Sequence, residues 1–573
     1  MTARPAGPAP PPRRRTAPIA PPRNELVPVA VLGIAMLIAF VLLYRKGFGL
    51  TFYYDEWNFV MNRRGWSLGT FLEPHNEHLV LIPVIVFKFL FVTVGLDAYW
   101  AYRAVVLLVH LACAGLVFVL LRRRLDPYLA LAAALAILFL GSAWQNLLWP
   151  FQMGYLMSIA AGLGMLLALD SRRDAVASIM LGASLASGSV GLPFAAAALV
   201  AVARPVDRRR RLWVPLVPVG LYVIWALLYG NPDAAPGAES GLWPLFSNNI
   251  PAVPGYVANA AAGAVGALIG LGVDWGRPLV LVAAVALAVR LVRDVPVSVR
   301  LVSLLAAAAV YWGLAALFRA QLNTPAESRY LYFGAVIVLL IAAELLGSAR
   351  LTVRGGAVLT VLLAISFVAN FGTLQAGSKT LQETSSYVAA ELGAFELVGR
   401  GVDTNYAPDP VRAPDITAGR YFDAIDQYGS PADTPQEIAE RSEPYRQAAD
   451  AVLVQALKIA PQTAQKAVGD RPFVETAVGG TVTPRKSCVD FRPNGAGPTL
   501  DIRVPSSGVV VTTHGASGVE LRLRAFAETF PTTAFVALPA RSTQSIALPR
   551  PRGIPDWHVR LTPPEPVSVC GLP

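Results

Sequence analysis

Long apolar runs, each closed by a short knot of arginine, dominate this chain and leave few folds open to it. Of 573 residues, 54% are hydrophobic and 15% charged, and the mean hydropathy is +0.50. A water-soluble core cannot hide so many stretches of about 20 apolar residues, whereas a hydrocarbon layer about 30 Å thick requires that length. The net charge of +11 is concentrated in clusters such as Arg13 to Arg15, Arg122 to Arg124, Arg208 to Arg211, and Arg290 with Arg293 and Arg300. Clusters this short beside apolar runs are topology signals. They predict membrane lipids as partners and no nucleic acid. Residues 1–25 are rich in proline and arginine and read as a disordered basic cytoplasmic tail. No small-residue cleavage site closes the run that follows, so it reads as a retained span.

Placing every arginine cluster on the cytoplasmic side predicts a multispan helical protein with about 11 spans. They fall near 26–43, 103–121, 128–141, 154–169, 175–188, 190–203, 213–229, 278–292, 300–317, 330–347 and 356–372. The run 79–95 carries Pro83 and Lys88. If it crossed, Arg122 to Arg124 would be stranded outside, so it is expected to lie flat on the outer face. Residues 45–102 then form one large external loop. The pair 175–203, turning through "ASGSVGLP", is short enough to be a hairpin that only dips into the bilayer. By the same parity, 256–272 is expected to be re-entrant or packed at the outer surface. Residues 373–573 fall outside the membrane.

That external third is polar, with helical patterns at 380–399 and 434–460, and from 473 onward it becomes β-rich, broken by Gly, Pro and Ser. The expectation is a mainly α protein of 26–372 in the membrane, a helical linker region at 373–472, and a β-sandwich at 473–573. Cys488 and Cys570 lie in the sandwich region and Cys113 in an apolar run. An exported pair is expected to bridge, with two free buried thiols as the alternative.

Four external segments carry polar residues that plain loops do not need. "FYYDEWNFV" (52–60) sets Asp55 beside Glu56 among aromatics. Asp55 is either a helix N-cap or a general base at the membrane interface. In "EPHNEHLVLIP" (73–83), His75 and His78 share a face if the segment is a helical turn, with Glu77 adjacent to it and Glu73 one turn before. A divalent metal is one reading, although the spacing matches no zinc-hydrolase pattern; substrate hydrogen bonding or a structural polar network is the other. In "WQNLLWPFQMGY" (144–155), the tryptophans suit an aromatic belt, while Gln145, Asn146 and Gln152 offer amides of the kind that hold sugar hydroxyls. In "FRAQLNTPAESRYLYF" (318–333), Arg319 and Arg329 sit on the wrong side for topology, with Glu327 as partial compensation and Tyr330 adjacent. Either Arg329 pairs with Glu327 or a headgroup, or it binds an anion such as phosphate. Arg103 is a second candidate for that anion.

On these residues the chain resembles the GT-C superfamily of integral membrane glycosyltransferases, in particular the polyprenyl-phosphate-sugar branch of protein O-mannosyltransferases and the lipid A aminoarabinose transferase. The shared features are a first span, an acidic pair (Asp55, Glu56) opening a large external loop, and helices within that loop. "HLVLIP" and "GLDAYWAYR", ending at Arg103, are looser counterparts of two further elements of the branch. The resemblance implies a plasma-membrane enzyme with Asp55 as base, Arg329 and Arg103 on phosphate, and an acceptor that is an extracytoplasmic glycan, lipid or protein. "HNEH" departs from the branch, which leaves the acceptor and any metal open. A lipid or glycan transporter and a non-catalytic assembly partner are the competing readings. The near absence of acids within the spans speaks against the former.

Overall fold

The computed structural model describes residues 23–203, 208–230, 241–293, 297–322, 324–347, 350–463, 469–504 and 507–572. Most of the expected tail, residues 1–22, therefore lies outside the described residues. The helices are α1 (Arg23–Lys46), α2 (Asp55–Asn62), α3 (Leu68–Leu72), α4 (Leu81–Val94), α5 (Tyr99–Leu121), α6 (Pro127–Leu138) and α7 (Trp144–Leu148). Next come α8 (Met153–Asp170), α9 (Asp174–Ser187), α10 (Gly191–Val202), α11 (Arg208–Arg211), α12 (Trp213–Tyr229), α13 (Leu242–Asn249) and α14 (Val253–Ile269). The set ends with α15 (Gly272–Arg293), α16 (Val299–Arg319), α17 (Ser328–Leu346), α18 (Val353–Val398), α19 (Ala418–Tyr428), α20 (Pro435–Glu440) and α21 (Glu443–Ala456).

Among the described residues, nine helical stretches are long and apolar enough to cross a membrane. Their surfaces carry apolar side chains in water-excluding runs, such as Ile34, Leu37 and Ile38 on α1 and Val358, Val361, Leu362 and Ile365 on α18. Exposed apolar area on this scale marks a lipid-facing surface, and the protein is a multi-pass membrane protein. The count differs from the sequence expectation at four places. α9, α10 and α12, read as spans, have 14, 12 and 17 residues, and a helix of 12 to 14 residues rises only about 18–21 Å. The run 256–272, read as re-entrant or packed at the outer surface, has its residues 256–269 in a continuous helical stretch, Leu242–Ile269, of spanning length. Small residues let α14 press closely on its neighbours: Ala264 meets Gly334 of α17, and Gly276 of α15 faces the carbonyl of Ala262.

The bundle has two distinct ends. At the basic end, Arg124 lies 3.8 Å from Asp170 and 3.7 Å from Glu344, Arg300 pairs with both acids, and Arg211 meets Asp174 at 2.6 Å. At the other end, Arg103 at the start of α5 donates to the carbonyls of Leu43 and Tyr44 at the end of α1. The chain therefore leaves α1 and enters α5 at the same end, and the intervening loop does not cross. Within that loop α4 spans 14 residues, too short for the hydrocarbon layer. Its Lys88 is buried and donates to the carbonyls of Arg63 (2.7 Å), Arg64 (3.4 Å) and Gly65. Its exposed residues Ile85, Phe89 and Val92 form one ridge, as a helix resting on lipid requires.

The sequence separated a span at 356–372 from a helix at 380–399, but α18 is one 46-residue helix running from the bundle into the helical region beyond it. The α19 helix was not anticipated. The chain then forms two antiparallel sheets, one of six strands and one of five. The strands are β1 (Gln462–Thr463), β2 (Phe473–Val478), β3 (Gly480–Pro484), β4 (Cys488–Pro493), β5 (Thr499–Val504), β6 (Gly508–Thr513), β7 (Val519–Arg524), β8 (Phe535–Leu538), β9 (Thr543–Ala547), β10 (Trp557–Leu561) and β11 (Val567–Gly571). Alternating burial along β7, β10 and β11 packs one face of each sheet inward. Asp450 on α21, fully buried, accepts the backbone N–H groups of Phe526 (2.9 Å) and Ala527 (3.0 Å) and fastens the sandwich to the helices.

Cys488 and Cys570 are bonded and face each other in register on β4 and β11, across 82 residues of chain. Cys113 is buried and free. Closing a loop of that length restricts the unfolded chain by about 4 kcal/mol on the chain-entropy model. The double variant Cys488→Ser/Cys570→Ser is expected to lose about that much stability in the sandwich alone. Limited proteolysis should then cut 473–572 first while the bundle stays intact.

Candidate functional site

A cavity of about 570 Å³ opens where α2, the turn after α3, the α9–α10 turn and the facing ends of α16 and α17 meet. Asp55, His75, Glu77, His78, Gln152, Arg319, Arg329 and Tyr330 all line it. Each is placed by local chemistry. The N–H of Glu56 bonds the carbonyl of Tyr53 at 3.2 Å, closing a tight turn in which Tyr54 holds φ 48°, ψ −115°. That conformation is normally glycine's, so a tyrosine there stores strain of about 1–3 kcal/mol. The turn is braced from outside, because Tyr54 N–H donates to the carbonyl of Arg412 at 3.0 Å. Asp55 thus enters α2 as its first residue, where the helix N-terminus favours a negative charge.

The "HNEH" segment is not a helical turn. His75 and His78 exchange both backbone hydrogen bonds, 3.0 and 2.9 Å, across a tight turn in which Asn76 has φ 51°. Asparagine tolerates that conformation, and Pro74 disfavours helix in the residue before it. Buried Arg63 knits the approach, donating to the carbonyls of Thr70 (2.9 Å), Glu73 (2.7 Å) and Pro74 (2.9 Å). His75 is 6% exposed and stands edge-on to Phe59 and Phe151. Its Nε2 lies 3.5 Å from Asp55. Glu77 pairs with Arg319, and His78 Nε2 lies 3.5 Å from Glu77. Among the described residues, no group of three or more His, Cys, Asp or Glu is placed to hold a metal ion.

Arg329 sits at the start of α17, its guanidinium 5.3 Å from the ring centroid of Tyr330. Gln145 does not face the cavity as expected; its side chain accepts the Arg329 N–H (3.1 Å) and its own N–H reaches Ser328 (3.2 Å). Below, Tyr155 bonds Tyr311, which donates to the Tyr330 carbonyl at 2.8 Å. Gln152 is held by Asn146 at 3.3 Å.

Three predicted site residues are elsewhere. Arg103 is buried against the end of α1, where its donors satisfy helix carbonyls and its charge complements the helix C-terminus. Glu327 is the residue before α17 and does not line the cavity. Glu56 points inward, 0% exposed, accepting from Tyr53 N–H (3.0 Å) and the Tyr99 hydroxyl (3.0 Å). Tyr54 and Tyr155, which the sequence offers only as flanking aromatics, line the cavity too; Tyr222, Tyr311 and the α9–α10 turn at Ser187 to Val190 were not anticipated, although the Gly and Ser of "ASGSVGLP" mark that turn.

No family model matches the chain, and no curated protein matches it. Asp55 and Arg329 set a carboxyl and a guanidinium around one cavity.

Burial pushes the Glu56 carboxyl from an ordinary 4.5 up to about 8, against the opposing hydrogen bonds from Tyr53 and Tyr99. The folded state thus holds a proton that the unfolded chain releases. Stability from this group is full below the unfolded value and falls as pH rises from about 4.5 to about 8, then levels off. Asp450, raised by burial to about 6, adds a dependence of the same sign at lower pH. Glu56→Gln is expected to fold and to lose less thermal stability between pH 5 and pH 9 than the parent. Unfolding temperatures in detergent at those pH values measure it, and equal slopes would remove the assignment.

Proposed function

We propose that this protein is a plasma-membrane glycosyltransferase that moves a sugar from a polyprenyl-phosphate donor to an acceptor hydroxyl outside the cytoplasm. In this reading the basic end is cytoplasmic, as the positive-inside rule asks, and the N-terminus is cytoplasmic too. The cavity, the helical region and the sandwich then lie outside. The carrying observation is the single cavity of about 570 Å³ lined together by Asp55 and Arg329. Its volume is in the range that holds a sugar phosphate. Its position beside α4, the helix with a lipid-facing ridge, suits a donor whose tail stays in the bilayer. The resemblance to GT-C enzymes supports the same reading.

Asp55 takes the proton of the acceptor hydroxyl while that oxygen attacks the anomeric carbon. The bond from that carbon to the phosphate oxygen breaks, the electron pair leaves with the phosphate, and the configuration inverts. Arg329 offers the departing phosphate a two-pronged donor at the moment its charge grows. Arg319, paired with Glu77, forms the wall beside it. The acceptor is an extracytoplasmic glycan, lipid or protein.

Purified protein in liposomes, given polyprenyl-phosphate sugars, should transfer sugar to an acceptor. Asp55→Asn should lower the rate by about 10²- to 10⁴-fold, the usual contribution of a general base. Arg329→Ala should act on kcat more than on KM, since its contact strengthens in the transition state. Transfer indifferent to Asp55→Asn would sink the base, and no transfer from any donor would favour a binding partner.

A further inference from the structure

Asp415, between α18 and α19, is approached by two amides of α2, Asn58 Nδ2 at 3.1 Å and Asn62 Nδ2 at 3.3 Å. Asn62 Oδ1 in turn accepts from Arg420 at 3.1 Å. A guanidinium can only donate and a carboxylate can only accept. Neither amide can be turned over without setting donor against donor or acceptor against acceptor. Asn58 Oδ1 must therefore face Nδ1 of His75, 3.2 Å away, and Nδ1 must carry the ring proton. The other nitrogen, Nε2, is buried, has no hydrogen-bond partner, and stands 3.5 Å from Asp55 Oδ1 in the cavity wall. In the neutral ring it is a lone pair facing a carboxylate. With the ring proton on Nδ1, two acceptors face each other there.

We infer that His75 is the terminal proton acceptor for Asp55, and that Asn58 and Asp415 are positioning residues that hold its ring in the accepting tautomer. The inference rests on the glycosyl-transfer reading. The proton taken from the acceptor hydroxyl by Asp55 passes from its Oδ1 to Nε2, leaving a carboxylate beside an imidazolium that carries one proton on each nitrogen. Water removes the Nε2 proton when product leaves, and the starting tautomer returns. Such a pair lets a carboxylate, a weak base on its own, complete the proton transfer. The ionisable groups that line the cavity with His75 are Asp55 on α2, Glu77 and His78 on its own turn, and Arg319 and Arg329 from α16 and α17; burial lowers the proton affinity of His78 and so favours its neutral form. The neighbours Phe59 and Phe151 present uncharged rings.

Solid-state ¹⁵N spectra of histidine-labelled full-length protein in liposomes test this, with His75 assigned by the His75→Gln variant. The expected result at neutral pH is a protonated Nδ1 and an unprotonated Nε2 on His75, with that preference lost in Asp415→Asn and in Asn58→Leu. Transfer by either variant should fall about 10- to 100-fold in kcat with little change in KM. A protonated Nε2 on neutral His75 would overturn the inference whatever the activity. Transfer unchanged by His75→Gln overturns the acceptor role. The expected tautomer without transfer from any donor keeps the assignment and rejects glycosyl transfer alone.

Discussion

Three buried cations hold together the loop on which the site is built. Arg63, Lys88 and Arg103 are each 2–3% exposed, and each aims its donors at backbone carbonyls of irregular chain or of a helix end. At the face of a bilayer such carbonyls have little water, and leaving one buried and unpaired costs about 1–3 kcal/mol. Arg63 gathers the strand that delivers His75. Lys88 ties α4 to the chain that follows α2, and Arg103 locks the start of α5 to the end of α1. None of these charges is available to a ligand. Their function is to let a non-crossing loop stay ordered beside lipid.

The helical region beyond the bundle completes what the loop begins. Its Arg412 carbonyl braces the strained turn at Tyr54, Asp415 orients Asn58, and Trp57 packs against Tyr421 at 6.0 Å. Leu96 N–H reaches the carbonyl of Tyr428 at 2.8 Å. The region lines none of the cavity but braces the loop that does, so a boundary drawn at residue 373 separates two parts that fold against each other. The long α18 passes through both without a break.

Much of this was legible in the sequence, and the rest was hidden for identifiable reasons. Apolar length and arginine position gave most of the helices and the non-crossing loop, because both obey one-dimensional rules. Asp55, His75, Glu77, His78, Gln152, Arg319, Arg329 and Tyr330 were all singled out and all reach one cavity. Arg103 and Glu56 carry the same chemistry in the sequence but are turned away by burial, which no local pattern reports. The "HNEH" turn was misread because a three-residue spacing fits a helix as well as a tight turn, and only the φ of Asn76 decides between them. Asn58 and Asp415 lie 357 residues apart, and no spacing rule links them.

The adjacent carboxylates Asp55 and Glu56 show how environment divides identical chemistry. One helix turns them to opposite surroundings. Asp55 faces the cavity and the orphan nitrogen of His75, whereas Glu56 lies in a dry pocket with Tyr53 and Tyr99 and keeps its proton near neutral pH. Two ionised carboxylates side by side would repel and raise each other's proton affinity. With Glu56 buried and holding its proton, that repulsion does not arise. The dipeptide therefore presents one carboxyl to the cavity and buries the other as an anchor.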